Sequence, residues 1–230
     1  MSEAIKTGMD GKHIRVYRGD GEGLPIVYSN DFEESGEAVL AQCAGLSCPP
    51  FHLVTVSGDD WNQDLSPWPT GPVLSKKDHF TGKAPDYLKW YLEKVIPFAE
   101  DCLEMEHPIS YISGYSMAGL FALWSLYQTD RFSGAVCASG SLWYPGFDDF
   151  ARSHPLQAKP SGIYLSLGDR ESAVKNPTFR KTETIYKGLN QHYTDCGLRS
   201  CFELNPGNHF KDPDLRVARG IKWILSKRAM

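Results

Sequence analysis

Along this chain of 230 residues, short apolar runs with the period of a strand alternate with longer stretches at helical spacing. Residues 13–17 read as a strand and residues 24–28 as a second. Gly19-Asp20-Gly21-Glu22-Gly23 between them reads as a hairpin-like turn, since a phosphate loop would need a helix next. Residues 31–46 can form a helix with Val39, Leu40 and Cys43 on one face. Residues 51–57 are a buried strand, followed by a long irregular segment to Thr81 that carries Trp61, Trp68, Phe80 and Pro67, Pro69 and Pro72. A segment of this length is usually functional, and its prolines and aromatics predict an ordered wall. A helix is expected over residues 83–104, kinked or divided by Pro97. Residues 109–113 form a buried strand that runs at once into an apolar helix from Met117. Further strands fall at 134–139, 163–167 and 200–204. One helix opens at Asn176-Pro177 and continues through Phe179, Ile185 and Leu189; the last opens at Asp212-Pro213. Strands alternating with helices predict an α/β class: one domain over residues 1–230, built on a mostly parallel sheet covered on both faces.

Composition narrows the functional classes. A formal net charge of -4 gives no electrostatic basis for binding nucleic acid or an anionic membrane. No apolar run approaches a membrane span, and the residues from Met1 to Lys6 lack the apolar core of an export signal. The six cysteines include two pairs with one shared spacing, Cys43/Cys48 and Cys196/Cys201, which is not a common zinc spacing. Unpaired thiols in apolar company and a cytoplasmic location are therefore expected. Neither a metal nor an organic cofactor is called for, and the sequence fixes no oligomeric state.

The chemistry gathers around Gly114-Tyr115-Ser116-Met117-Ala118-Gly119. A serine on a tight strand-to-helix turn is strained, exposes its hydroxyl and leaves the next N–H free at a helix N-terminus. The crowding there demands small residues two positions either side. Gly114 meets that demand, and Ala118 stands where glycine is usual. In a parallel sheet, ligands collect at the carboxyl ends of strands. Three other such ends carry useful groups: Asp59-Asp60-Trp61, Asp169 with Glu171, and His209. A serine needs an imidazole to take its proton, and the imidazole needs a carboxylate. His209, in a Gly-Asn-His turn between the last strand and the last helix, is the candidate base. Asp169 and Glu171 compete as the acid, and the order serine, acid, histidine fits. His13 and His52 read as strand positions, and His79, His107, His154 and His192 as loop or surface positions.

These stretches, with Ser139-Gly140-Ser141-Leu142-Trp143, Gly168-Asp169-Arg170-Glu171 and Gly207-Asn208-His209, resemble the putative-esterase family of α/β-hydrolases, near its enterobactin-esterase-like branch. The likeness runs from about Leu24 onward. It implies an α/β-hydrolase fold and a Ser116–Glu171–His209 triad that cleaves carboxylic esters of small molecules through an acyl-enzyme. The expected oxyanion donors are the N–H of Met117 and one from the loop after the Val54 strand, assigned to Trp61. Residues 143–161 leave no room for a large cap domain, so an open cleft bordered by Trp61, Trp68, Tyr115 and Trp143 is expected. Thioester or other acyl hydrolysis on the same triad, and a non-catalytic binding protein on the same fold, are the alternatives.

Overall fold

The computed structural model of the protein describes residues 4–32, 35–58, 60–73, 79–157 and 159–226. In chain order the elements are β1 (Ile5–Met9), β2 (Lys12–Tyr17), β3 (Ile26–Asn30), α1 (Gly36–Gly45) and β4 (His52–Ser57). A two-strand ribbon follows, β5 (Pro69–Thr70) with β6 (Phe80–Thr81), then α2 (Ala84–Trp90) and α3 (Ile96–Leu103). The second half is β7 (Ser110–Tyr115), α4 (Met117–Ser125), β8 (Gly134–Ala138), α5 (Phe147–Ser153) and β9 (Gly162–Gly168). It closes with α6 (Pro177–Arg180), α7 (Thr182–Asp195), β10 (Ser200–Asn205) and α8 (Pro213–Leu225).

Among the described residues the main sheet runs β1-β2-β4-β3-β7-β8-β9-β10. β2 pairs antiparallel with β1 and β4, and every other pairing is parallel. This is the α/β-hydrolase fold the sequence led us to expect. The pleat divides the core in two. Ile26, Tyr28, Val54, Val56, Ala135, Ile163 and Leu165 face the cluster that holds α2, α3, α4 and α7. Val27, Leu53 and Ala138 face Val39, Cys43, Val217 and Ile221 of α1 and α8.

Three expectations shift, and one is met in its detail. The first two strands do not form a hairpin: β3 lies beyond β4, paired with β4 and β7. All five β3 residues are buried, and only a central position with neighbours on both sides buries them. The Gly19 N–H anchors the crossing by donating to His52 Nδ1 at 3.1 Å. The actual hairpin is β1–β2, turned by Asp10 and Gly11 at φ 51° and 80°. Such Asp-Gly pairs fit a two-residue turn. The helix expected over 31–46 begins only at Gly36, which leaves Asp31 and Phe32 as a strand-end loop. Between α2 and α3 the helix widens into a π turn over Tyr91–Val95, which accommodates Pro97 in the first turn of α3. The helix opening at Asn176 breaks at Lys181, so that Thr182, Tyr186, Leu189 and Tyr193 of α7 are buried. Between β8 and β9 the described residues form α5 and its flanking turns.

The packing of α8 yields a prediction. A Cβ on Gly220 would lie 2.3 Å from Val136 Cγ1 and 2.7 Å from Tyr164 Cδ1. On an exposed helix, glycine to alanine stabilises by about 1 kcal/mol. Here Gly220→Ala should instead destabilise by about 1–3 kcal/mol through overpacking, read by urea denaturation. A stabilised variant would disprove the close contact of α8 with the sheet.

Candidate active site

Ser116 follows β7 directly and stands at φ 57° and ψ −123°, a costly conformation for a residue with a Cβ. Packing enforces it. A Cβ on Gly114 would fall 2.3 Å from the carbonyl carbon of Ala118, and one on Gly119 2.9 Å from Gly140 Cα. Strand and helix therefore approach more closely than side chains on Gly114 and Gly119 would allow, and Ala118, where glycine is usual, is fully buried against the turn. The Ser116 N–H donates to the Ala138 carbonyl at 3.2 Å, and the Ser116 carbonyl accepts from Leu120 at 3.1 Å and Ser141 at 2.9 Å. The side chain is left facing the carboxyl edge of the sheet.

His209, on the turn after β10, brings Nε2 to 3.2 Å from Ser116 Oγ. Its Nδ1 lies 2.7 Å from Glu171 Oε2. With the proton assigned to Nδ1, the ring donates to the carboxylate and accepts from the serine hydroxyl. The other oxygen, Glu171 Oε1, accepts from the Gly168 N–H at 2.7 Å, Ser139 Oγ at 2.8 Å and Arg216 Nη1 at 2.8 Å. Burial pushes the Glu171 carboxyl up, but the His209, Gly168 and Ser139 bonds outweigh it and hold its pKa below the usual 4.5. Asp169, the competing acid, is exposed and accepts the Gly207 N–H at 2.8 Å. It braces the histidine loop through the backbone while Glu171 meets the ring.

Two cavities meet at Ser116 and His209. One, of about 530 Å³, is walled by Asn30, Phe32, Trp61 and Tyr115. The other, of about 410 Å³, is walled by Trp143, Arg170, Val174 and Phe179. Trp61, Tyr115 and Trp143 thus line the space around the serine. Trp68 does not: its ring packs on Tyr144, Phe147 and Phe150, and its Nε1 donates to the Pro145 carbonyl at 3.0 Å. Burial raises the Tyr115 phenol, which therefore stays protonated and donates to the His209 carbonyl at 2.6 Å.

The N–H of Met117 begins α4 beside the serine. The second donor expected at Trp61 is set against the topology. Trp61 follows β4, whereas β3 lies between β4 and the serine strand. The loop next to the serine is therefore the one after β3. There the Asp31 N–H already donates to the Val56 carbonyl at 2.8 Å, and Phe32 comes next, edge-on to Trp61 with ring centroids 5.2 Å apart. Asp59, grouped with Asp60 and Trp61 in the sequence reading, lies outside the described residues. Phe32 and the buried Arg216 were missed by sequence reasoning. Only the pairing of β3 with β7, which neither strand signals in its sequence, brings Phe32 to the site. Arg216 carries no local signal beyond being a cation in the first turns of a helix, where cations are unfavourable.

A family model described as "Putative esterase" matches residues 14–195. No curated protein matches the sequence. Among solved structures, the chain is similar to an IroE-like serine hydrolase from Shewanella oneidensis, at 17% identity and a TM-score of 0.74, covering 96% of this chain and 79% of that one. It is similar to the siderophore hydrolase EstB from Aspergillus nidulans, at 18% identity and a TM-score of 0.74, covering 99% and 96%. It is also similar to the enterobactin esterase FES from Shigella flexneri, at 14% identity and a TM-score of 0.69, covering 96% of this chain and 58% of that one. At these identities the likeness is one of fold.

The lowered Glu171 pKa has a consequence for stability. A carboxylate whose pKa falls on folding stabilises the protein fully above its unfolded value and loses that contribution as pH falls through the folded value. Glu171→Gln removes the titration. The melting-temperature gap between the wild type and Glu171→Gln should therefore be widest above pH 4.5 and narrow below it. A gap that stays constant down to pH 3 would mean that Glu171 is not held ionised.

Proposed function

The chain belongs to the putative esterase family, and we propose that it is a serine esterase working through Ser116, His209 and Glu171. The observation that carries this reading is the serine hydroxyl, strained into the open at a strand-to-helix turn, 3.2 Å from an imidazole that a carboxylate meets at 2.7 Å on its far side.

In this mechanism His209 Nε2 removes the Ser116 proton, and the alkoxide attacks the ester carbonyl. Glu171 keeps the Nδ1 tautomer and stabilises the imidazolium as it forms. Negative charge developing on the carbonyl oxygen is received by the Met117 N–H and by a donor from the loop after β3, which we assign to Phe32. The imidazolium then protonates the leaving alcohol, and the same nitrogen activates water to release the acid. A scissile ester has two halves, and the two cavities that meet at Ser116 supply one space for each. Their size and aromatic walls favour compact esters over long acyl chains. One of the structural neighbours, FES from Shigella flexneri, is an enterobactin esterase, which is in keeping with this chemistry. The unbroken sheet supports one catalytic unit across residues 1–230. Six cysteines without a disulfide favour a reducing compartment such as the cytoplasm. No helix among the described residues is long and apolar enough to cross a membrane.

A fluorophosphonate probe should label the protein at Ser116, located by peptide mass spectrometry, and Ser116→Ala should abolish labelling. With a chromogenic short-chain ester, Glu171→Gln should lower kcat by about 10³-fold or more, while Asp169→Asn stays within about tenfold of the wild type, because Asp169 holds only a backbone N–H. If Asp169→Asn is the inactive variant and Glu171→Gln the active one, the two carboxylates exchange roles.

A further inference from the structure

The proposed acid and base sit on different loops, after β9 and after β10. Main-chain bonds join these loops: the Asp169 N–H donates to Asn205 O at 2.8 Å, and the Arg170 N–H to Gly207 O at 3.1 Å. These bonds fix neither the carboxylate of Glu171 nor the backbone at residues 208–209, from which the imidazole hangs. One side chain touches both. Arg216, 1% exposed, directs Nη1 to Glu171 Oε1 at 2.8 Å, Ser139 Oγ at 2.9 Å and Tyr115 Oη at 3.2 Å. Its Nη2 donates to the carbonyls of Asn208 at 2.8 Å and Pro206 at 3.2 Å. The Tyr115 hydroxyl extends the chain to the His209 carbonyl.

Fold stability alone does not account for this residue. A buried cation carries a large desolvation cost, often matched or bettered by a well-packed apolar residue. It also sits in the first turns of α8, at the positive end of the helix dipole, and its Nε has no partner among the described residues. The surroundings are shaped to admit it. A Cβ on Gly168, the glycine of the Gly-Asp-Arg-Glu turn, would lie 2.9 Å from both Nη1 and Nη2.

Resting on the serine-esterase reading above, we propose that Arg216 is the positioning residue that sets the spacing between the acid and the base. One fork of its guanidinium holds Glu171 Oε1 so that Oε2 aims at Nδ1. The other gathers the carbonyls of residues 206 and 208 and places the His209 turn. A planar guanidinium can do this and an ammonium cannot, because the lysine head is a single point of charge.

The test compares Arg216→Gln, Arg216→Lys and, as control, Arg219→Gln. Arg219 lies further along the same helix, pairs with Glu203 at 2.7 Å and donates to Asn205 Oδ1 at 3.0 Å, and it touches neither Glu171 nor the carbonyls of residues 206–209. With p-nitrophenyl acetate, Arg216→Gln should lower kcat about 100-fold with KM within about twofold, the cost of misplacing a reacting group by about 1 Å. In a Glu171→Gln background the same change should cost less than about threefold, since the two act as a unit. Arg219→Gln should match the wild type. Proton NMR of the His209 ring should lose the low-field Nδ1–H signal in Arg216→Gln and keep it in Arg219→Gln. Arg216→Lys keeps the charge and secures the test should Arg216→Gln not fold; it too should lose kcat and the signal. Full activity in Arg216→Lys, additive losses with Glu171→Gln, or an unchanged Nδ1–H signal in a folded Arg216 variant would each overturn the proposal. The NMR readout needs no substrate. A wild type inert to both ester and fluorophosphonate would therefore sink the esterase reading, while the Nδ1–H signal still decided the role of Arg216.

Discussion

The conformation of Ser116 is the constraint around which the rest is arranged. A residue at φ 57° and ψ −123° stays there only if its surroundings outweigh the local cost, of order 1–3 kcal/mol. The surroundings are the contact of Gly114 with Ala118 beneath the turn and of Gly119 with Gly140 beside it. β7 and β3 lie at the middle of the sheet, where flanking strands on both sides leave no freedom to relax. The fully buried α4 follows from the same demand, because a helix forced this close to the sheet must be apolar all round. Strain at the serine is thus a product of core packing rather than of the loop itself.

The positions of the other groups follow from the direction of the strands. β3, β7, β8, β9 and β10 run parallel, so their carboxyl ends share one edge of the sheet. Phe32, Ser116, Ser139, Glu171 and His209 each lie a few residues past one of those ends. Ser139, at φ 43°, turns its hydroxyl to Glu171, and its N–H donates to Ser166 O at 2.7 Å. Parallel register across five strands converts five separate loops into one cluster, the general behaviour of crevices at such edges.

What the sequence made legible was whatever has a local cause. The elbow was legible because small residues flank a serine at fixed spacing, and the histidine turn because its Gly-Asn-His precedes a proline-started helix. β2, β4, β8 and β9 announced themselves through buried β-branched and aromatic runs. β1 did not, since its residues are partly or fully exposed and show no alternation; only Asp10-Gly11 marks it. The false hairpin at Gly19 to Gly23 and the assignment of the second oxyanion donor to Trp61 share one origin. Both depend on whether β3 or β4 adjoins β7, and strand order is a tertiary choice with no signature in either strand. Arg216 was hidden for a related reason. Its partners come from β7, β8, β9 and β10 loops, up to 101 residues away in the chain, and an arginine in a helix reads by default as a solvated charge.

The division of labour between Asp169 and Glu171 follows from reach. The turn after β9 closes with the Glu171 N–H donating to Gly168 O at 3.0 Å, and the Glu171 side chain folds back so that Oε1 accepts the Gly168 N–H. That return ring tethers the carboxylate to its own turn and, together with Arg216 and Ser139 on the same oxygen, leaves Oε2 directed at the imidazole. An aspartate at 171, one methylene shorter, could not satisfy the Gly168 N–H and still extend to Nδ1. At 169 the shorter side chain suffices, because its partner, the Gly207 N–H, lies just past the end of the adjoining strand. One turn therefore places two carboxylates against the same neighbouring loop, the short one on its backbone and the long one on its ring. The longer side chain holds the ring because it alone can be anchored at one oxygen and free at the other.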